Sequence, residues 1–365
     1  MNDQVIMKNN NNSIKDSSDT QFSYESTYTD NFCGILKGLN ISLAVTSYQS
    51  RCLFFIRSNG KTINTHFKTF PRPMGLYADL NRLTLGTFAQ VLEFKRCDNV
   101  LKKIKNGDLD KTTRLSKKIL EQDPKLMKEL IEERKKELHD IKKADALYLP
   151  RASITTGMIN IHDIAWGHDG LWVVNSTFSC LSTLSPDYSF IARWKPSFIT
   201  ELLPEDRCHL NGLAMRENKP KYVTTFNMLN KRDSWDMNTH DGTLIDIDTN
   251  EFLLKGIITP HSPRYYEGNI YLCESGTGTI WKLNPETGIK DKVIKLQGYP
   301  RGMTFYGPLM FVGLSKVRSC HLKNPIPICM EYDTTYSGIW IINLGNNTEI
   351  GHIKFDGDVD QIYDI

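Results

Sequence analysis

A short phrase, repeated in diverged form along the chain, restricts the fold more than any other feature. The run Asn211-Gly212-Leu213-Ala214 has echoes in Met74-Gly75-Leu76-Tyr77, His162-Asp163-Ile164-Ala165, Ser262-Pro263-Arg264-Tyr265, Arg301-Gly302-Met303-Thr304 and Asp360-Gln361-Ile362-Tyr363. Each echo opens a short apolar run. After a Gly- or Asn-containing turn a second apolar run follows, as at Leu171 to Asn175, Tyr222 to Phe226, Ile270 to Cys273 and Leu309 to Val312. Outer hairpins then end on turn chemistry such as Asp248-Thr249-Asn250 and Gly345-Asn346-Asn347. The repeating unit is therefore four strands.

Echo starts at 162, 211, 262, 301 and 360 lie 49, 51, 39 and 59 residues apart. The 88 residues from 74 to 162 shrink to a blade-like length once a helical segment is set aside. Propeller blades recur at about 40 to 50 residues, a period too long for leucine-rich or ankyrin repeats. Six echoes predict an all-β, six-bladed propeller. Val359 to Ile365 reads as an opening strand with no return, whereas Ser42 to Ser47, Cys52 to Arg57 and Thr62 to Phe67 read as three strands with no opening one. Pairing of the C-terminal strand with these N-terminal strands would complete one blade and close the ring.

Two segments depart from this pattern. Residues 1–32 are polar and read as a disordered tail, leaving 33–365 as a single propeller domain. A helical insert interrupts it at about 98–146, where Asp123-Pro124 is a helix-start signal and Met127, Leu130, Ile131, Leu138 and Ile141 recur at helical spacing. From Lys102 to Lys143 there are 14 Lys or Arg against 9 Asp or Glu, so the insert carries +5 of the chain's net +3 and the remainder carries −2. The insert is either a solvated excursion from a loop or, through residues 101–143, a basic docking element for a protein partner. A body so close to neutral argues against a nucleic-acid-binding face.

The 8 cysteines include no CxxC pair and read as reduced thiols, which points to a cytoplasmic protein. No signal pattern opens the sequence, and no apolar run reaches the roughly 18 residues of a membrane span. Phosphate-cradling GxxxxGK[ST] and GxGxxG runs are absent, so nothing signals a nucleotide or flavin; GxSxG and HExxH are absent too.

In a propeller the opening strands line the central channel, so residues at each echo and after each return strand converge on one mouth. His162, His209 and His261 begin successive blades. With Asn211 or Asp360 nearby they are candidate ligands for a divalent metal; the alternative is hydrogen-bonded histidines that orient loops. Arg72, Arg264 and Arg301 would hold a carboxylate or phosphate if they converge, or pair with Asp163, Glu274 or Asp360 inside the channel. Asp163, Asn175, Arg318 and Trp235, in or beside mouth loops, complete the candidate ligand-binding set. Cys208 adjoins His209, but strand neighbours point to opposite faces, which separates thiol from imidazole. The expected function is a channel site for a small molecule or peptide, with metal-assisted hydrolysis as its catalytic form; the rival is a non-catalytic propeller that binds a protein or glycan.

The phrases DRCHLNGLAM, PHSPRYY with the following ESGTG, YPRGMTF, VGLSKVR, IHDIAW, WVVNSTFSCL and FPRPMGLY resemble those of the DUF4915 family, in the same order, over about residues 40 to 365. The resemblance implies a propeller and a shared site rather than a particular reaction. In that family a tryptophan-bearing loop ending in Gly-Gly precedes the outer hairpin of the third blade, whereas here the loop carries Trp235 and ends Asp241-Gly242. More distantly, the N-G-L-A phrase is similar to calcium-dependent lactonases and the strictosidine-synthase group. That similarity implies a channel metal on Glu, Asn and Asp, for which this chain offers Asn211 and Asp360 but His162.

Overall fold

The computed structural model describes residues 5–7, 22–107, 124–234, 240–318 and 325–365. It is a six-bladed β-propeller. Blade I holds strands Leu43–Ser47, Cys52–Ser58 and Ile63–Thr69. Blade III is Ile161–Gly167, Gly170–Asn175, Cys180–Thr183 and Ile191–Trp194. Blade IV is Leu210–Arg216, Lys219–Thr225, Gly242–Asp246 and Phe252–Ile257. Blade V is Pro260–Tyr266, Asn269–Glu274, Thr279–Leu283 and Lys290–Lys295, and blade VI is Tyr299–Tyr306, Leu309–Ser315, Gly338–Asn343 and Thr348–Phe355. Blade II is the sheet Leu76–Ala78, Arg82–Gly86, Gln90–Arg96 and Tyr148–Thr155.

The chain forms two compact units. One comprises Met1–Tyr77, Leu85–Val91 and Ile154–Ile365; the other comprises Ala78–Thr84 and Leu92–Ser153. The second contains helix α2, Asp98–Lys105, and helix α3, Pro124–Lys142, so the insert is helical as its periodicity predicts. Its base is closed by a hydrogen bond from Cys97 N to Leu147 O at 2.7 Å. Described lysines on α3, including Lys125, Lys128, Lys135 and Lys136, are exposed.

Within the first unit the apolar core lies between adjacent blades. Val174 and Leu181 of blade III meet Leu213, Val223 and Ile245 of blade IV in one such cluster. Alternation along the strands supplies these residues: one face of each blade packs on the preceding blade and the other on the following one. Each fully buried Leu, Ile or Val contributes about 1.5–3 kcal/mol relative to exposure.

Ring closure is the expected pairing of the C-terminal segment with the N-terminal strands, with two particulars. The segment Val359 to Ile365 meets blade I through one bridge, Thr46 to Asp364, instead of a full ladder. Thr46 N donates to Asp364 O at 2.9 Å and Tyr363 N donates to Thr46 O at 2.8 Å. A second closure comes from the N-terminal side: Ser26–Tyr28 pairs with Thr348–Phe355 as an added outer strand on blade VI. Helix α1, Asp30–Leu39, then buries Phe32, Cys33 and Leu36 between the strands of blades I and VI. Strand and helix are thus present before residue 33, in the stretch whose polar composition suggests a tail; residues 1–4 and 8–21 of that stretch lie outside the described residues. The reason is that Phe32, Cys33 and Leu36 form the apolar face of the helix, and Tyr24 and Tyr28 from the preceding segment pack into the same cluster despite polar neighbours.

Opening strands alternate in character around the ring. On blade IV a Cβ at Gly212 would stand 2.3 Å from Pro263 Cδ of blade V, and on blade VI a Cβ at Gly302 would stand 2.7 Å from Asp364 Cα. These glycines let neighbouring inner strands approach closely, and Gly302 also has φ +66. The partner blades answer with a side-chain acceptor: Asp163 Oδ2 accepts from Leu213 N at 3.0 Å, Ser262 Oγ from Gly302 N at 3.0 Å, and Asp364 Oδ2 from Leu76 N at 3.0 Å. The acceptors thus join blades I–II, III–IV and V–VI, and the glycines approach across the three seams between those pairs.

This pairing corrects the sixth echo. Tyr363-Asp364-Ile365 is equivalent to His162-Asp163-Ile164, and in both the Asp Oδ1 accepts from the following Ile N, at 3.0 and 2.9 Å. The echo at Asp360 therefore sits three residues too early.

Candidate functional site

The alternation places one side chain per blade at the start of each opening strand. They are Tyr363 on I, Met74 on II, His162 on III, Asn211 on IV, His261 on V and Arg301 on VI, and all six are buried. Met74, Asn211 and Arg301 precede the close-approach glycines, while Tyr363, His162 and His261 precede the side-chain acceptors. Ring contacts join this level into a closed circuit. Tyr363 contacts His162 at 5.9 Å, His162 contacts His209 at 4.6 Å, His209 contacts Phe226 at 4.6 Å, and Phe226 contacts His261 at 5.2 Å. The circuit continues through Tyr299, 5.4 Å from His261, and returns through Arg301, whose Cζ lies 5.1 Å from the Tyr299 centroid, 5.4 Å from that of Tyr363 and 5.8 Å from that of Tyr48.

The histidines are held through Nδ1. His162 Nδ1 lies 3.0 Å from Asn160 O and 2.6 Å from Ser176 Oγ, which itself donates to Leu210 O at 2.5 Å. Blade V repeats the device: His261 Nδ1 lies 3.0 Å from Thr259 O and 2.8 Å from Ser275 Oγ, which donates to Pro300 O at 2.6 Å. His209 Nδ1 lies 2.7 Å from Asp206 Oδ2. Burial holds the pKa of His162 well below the ordinary value, with His209 and Arg301 adding to the effect. Burial does the same to His261, followed by Arg301. Both rings are therefore neutral.

Four atoms at this level are buried without a protein partner: Arg301 Nε, Asn211 Nδ2, His261 Nε2 and Tyr363 Oη. No carboxylate among the described residues lies within ion-pair distance of Arg301. Arg72 is exposed and stacks on Phe88 at 4.7 Å, and Arg318 is half-buried near Tyr299.

The next level of the channel is occupied by charge. Arg264 donates through Nη1 to Asp163 Oδ2 at 2.8 Å and through Nη2 to Asp364 Oδ1 at 3.2 Å; its Nε donates to Met303 O at 3.2 Å and its Nη1 also reaches Leu213 O. Counting the acceptances of Asp163 and Asp364 from Leu213 N and Leu76 N, this cluster touches every blade. Burial pushes the Asp364 carboxyl up while Arg264 opposes it.

Several sequence candidates are thereby sorted. Arg264 and Asp163 form the structural pin across the channel, the internal pairing that was the alternative reading. Asp360 pairs with Lys316 at 2.6 Å and is half exposed, separate from the histidine circuit, because the acid that belongs to the repeat is Asp364. Asn175 is fully buried and its Oδ1 accepts from Phe178 N at 3.1 Å, shaping the mouth loop. Trp235 lies outside the described residues. Among the described residues no three His, Cys, Asp or Glu side chains come together as a metal cluster. Cys208 is in the core between blades III and IV, its thiol pushed up to about 12 by burial. Tyr48, Phe226, Tyr299 and Tyr363 were not among the candidates, although the parallel between Tyr363-Asp364-Ile365 and His162-Asp163-Ile164 would have found Tyr363.

The architecture defines the class: a six-bladed β-propeller with a polar and aromatic ring above a charged pin in its channel. The chain belongs to the DUF4915 family, a domain of unknown function, whose family model matches residues 30–121 and 118–365. Among solved structures it is similar to a chain of the nidogen/laminin complex, with a TM-score of 0.49 and 11% sequence identity over 88% of this chain and 95% of that one. No curated protein sequence matches the chain significantly. Among the described residues no helix is long and apolar enough to cross a membrane.

Proposed function

We propose that this propeller binds a small anionic molecule at the mouth of its channel, with Arg301 as the fixed positive charge. The observation that carries the reading is the Arg301 guanidinium itself, which is buried, has no carboxylate in ion-pair reach among the described residues, and keeps Nε–H without an acceptor. A buried unpaired cation is costly by several kcal/mol. Three tyrosine faces offset part of that cost, at about 0.5–2 kcal/mol each. An anion would offset the rest. Arg72 and Arg318 add positive charge near the same mouth and would steer anions toward it. Arg264 is excluded from this role because Asp163 and Asp364 neutralise it.

The test is thermal unfolding of the full chain with small carboxylates and inorganic phosphate at fixed ionic strength. At least one anion raises the unfolding temperature of the wild type, and Arg301→Met removes the effect. Stabilisation by neutral polyols that survives Arg301→Met would sink the reading.

A further inference from the structure

The hydrogen-bond chains behind the histidines fix more than their position. Ser176 Oγ has one hydrogen, and it goes to Leu210 O; Ser275 Oγ likewise gives its hydrogen to Pro300 O. Each serine can therefore only accept from the adjacent imidazole, and the carbonyls of Asn160 and Thr259 can only accept as well. His162 and His261 must both carry their hydrogen on Nδ1. The Nε2 of each neutral ring is then a lone pair, and that of His261 is buried with no partner. His209 donates from Nδ1 to the Asp206 carboxylate, which sets the same tautomer on a third ring.

The ring thus offers two kinds of partner, which alternate from blade III to blade VI. Arg301 Nε–H and Asn211 Nδ2–H are donors without a protein partner, suited to an oxyanion; His261 Nε2, also without one, is an acceptor that a plain carboxylate cannot satisfy, and His162 Nε2 is an acceptor by its tautomer. Tyr363 Oη, able to give or take, lies between them. From this juxtaposition we infer that the ligand is a small hydroxy acid, its carboxylate on Arg301 of blade VI and a hydroxyl hydrogen on the Nε2 of His261 on the neighbouring blade V. The inference rests on the anion reading above and narrows it. Arg301, which helps keep both imidazoles neutral, favours an anion over a metal cation beside them. The tyrosine and phenylalanine faces of the circuit suit the C–H surface of such a molecule.

The experiment is calorimetric titration of the full chain at pH 7.5 with glycolate, glycerate, threonate and gluconate. Acetate, propionate, butyrate and hexanoate serve as matched acids without hydroxyls, with inorganic phosphate and Zn2+ as further probes. We expect at least one hydroxy acid to bind ten-fold or more tightly than its matched acid. In His261→Asn, which keeps a donor at the Nδ1 position, that advantage shrinks below three-fold; in Arg301→Met both acids lose at least ten-fold. Equal binding of the two series overturns the hydroxyl inference and leaves the anion reading standing. No binding by any acid sinks both, and phosphate binding tighter than every hydroxy acid and indifferent to His261→Asn overturns the class. Stoichiometric Zn2+ lost in His162→Asn overturns it in favour of a metal. The 15N shifts of the wild-type histidines test the premise without any variant or ligand: hydrogen on Nε2 of His162 and His261 would refute it.

Discussion

Acid should unfold this protein through His162 and His261, and the effect is large enough to isolate. Both imidazoles are held neutral in the folded chain by burial, with neighbouring positive charge adding to it. In the unfolded chain each titrates near 6.5. Because the folded value lies below the unfolded one, the unfolded state takes up protons first. The stability that the neutral rings provide is fully present above pH 6.5 and declines as pH falls from 6.5 toward the lowered folded values. The slope is about 1.4 kcal/mol per pH unit per histidine. Between pH 7.5 and 5.0 each ring can therefore cost up to about 2 kcal/mol, the limit reached if it stays neutral throughout. Urea unfolding of wild type, His261→Asn and His162→Asn/His261→Asn at the two pH values measures this directly. Comparing the pH dependence of variants cancels the contribution of all other groups. The single variant should lose less stability than wild type between pH 7.5 and 5.0, by up to about 2 kcal/mol, and the double variant less again. Equal pH dependence in all three chains would mean that the imidazoles are solvated or already paired with an anion, and the neutral-ring reasoning would fail.

Other consequences are simpler to state. Arg264→Met leaves Asp163 and Asp364 buried without their counter-ion and should cost about 3–5 kcal/mol in thermal or urea unfolding, most of it regained in Arg264→Met/Asp163→Asn/Asp364→Asn. Gly212→Ala drives a methyl into Pro263 and should destabilise by about 1–3 kcal/mol, whereas Gly34→Ala on helix α1, with open space at the Cβ, should stabilise by about 0.5–1 kcal/mol. Deleting residues 359–365 removes the bridge to Thr46 and the Asp364 carboxylate together, and should replace a cooperative unfolding transition by a broad one. Wild-type cooperativity in that truncated chain would show that Ser26–Tyr28 and α1 alone close the ring.

Most of the architecture was legible because its signals are local. A glycine, an apolar run and a turn recur within a few residues, and the strand boundaries that follow from them agree closely with Leu43–Ser47, Cys52–Ser58 and Ile63–Thr69. The site was legible only in part. His162, His209, His261, Asn211 and Arg301 were singled out by their place in the echoes, and the structure puts them at one level. The roles of Arg264 and Asp364 depend on a contact spanning 100 residues of sequence, which no local pattern encodes. The sequence points to Asp360 rather than Asp364 because an apolar echo can be aligned at several offsets, and the bonds that Asp364 accepts from Leu76 N and Ile365 N fix the register. The early closure by Ser26–Tyr28 was hidden for a related reason: a three-residue strand among polar neighbours carries too little apolar pattern to register.

The pairing of blades explains why function can vary at this ring while the fold stays fixed. On blades I, III and V the residue that makes the structural bond is Asp364, Asp163 or Ser262, and on blades II, IV and VI the glycine makes the close approach. The residue immediately before each of these carries neither duty. Tyr363, Met74, His162, Asn211, His261 and Arg301 differ in size, charge and hydrogen-bonding capacity although their backbones occupy equivalent places. A position whose backbone is constrained by its neighbour and whose side chain is not is where a propeller can change its ligand without rebuilding a blade. Four of these six side chains carry a buried polar atom with no protein partner, while the level beneath is closed by Arg264 and its two carboxylates. Stability is concentrated in the pin and chemical specificity in the ring above it, so Arg301→Met should alter binding with far less loss of stability than Arg264→Met.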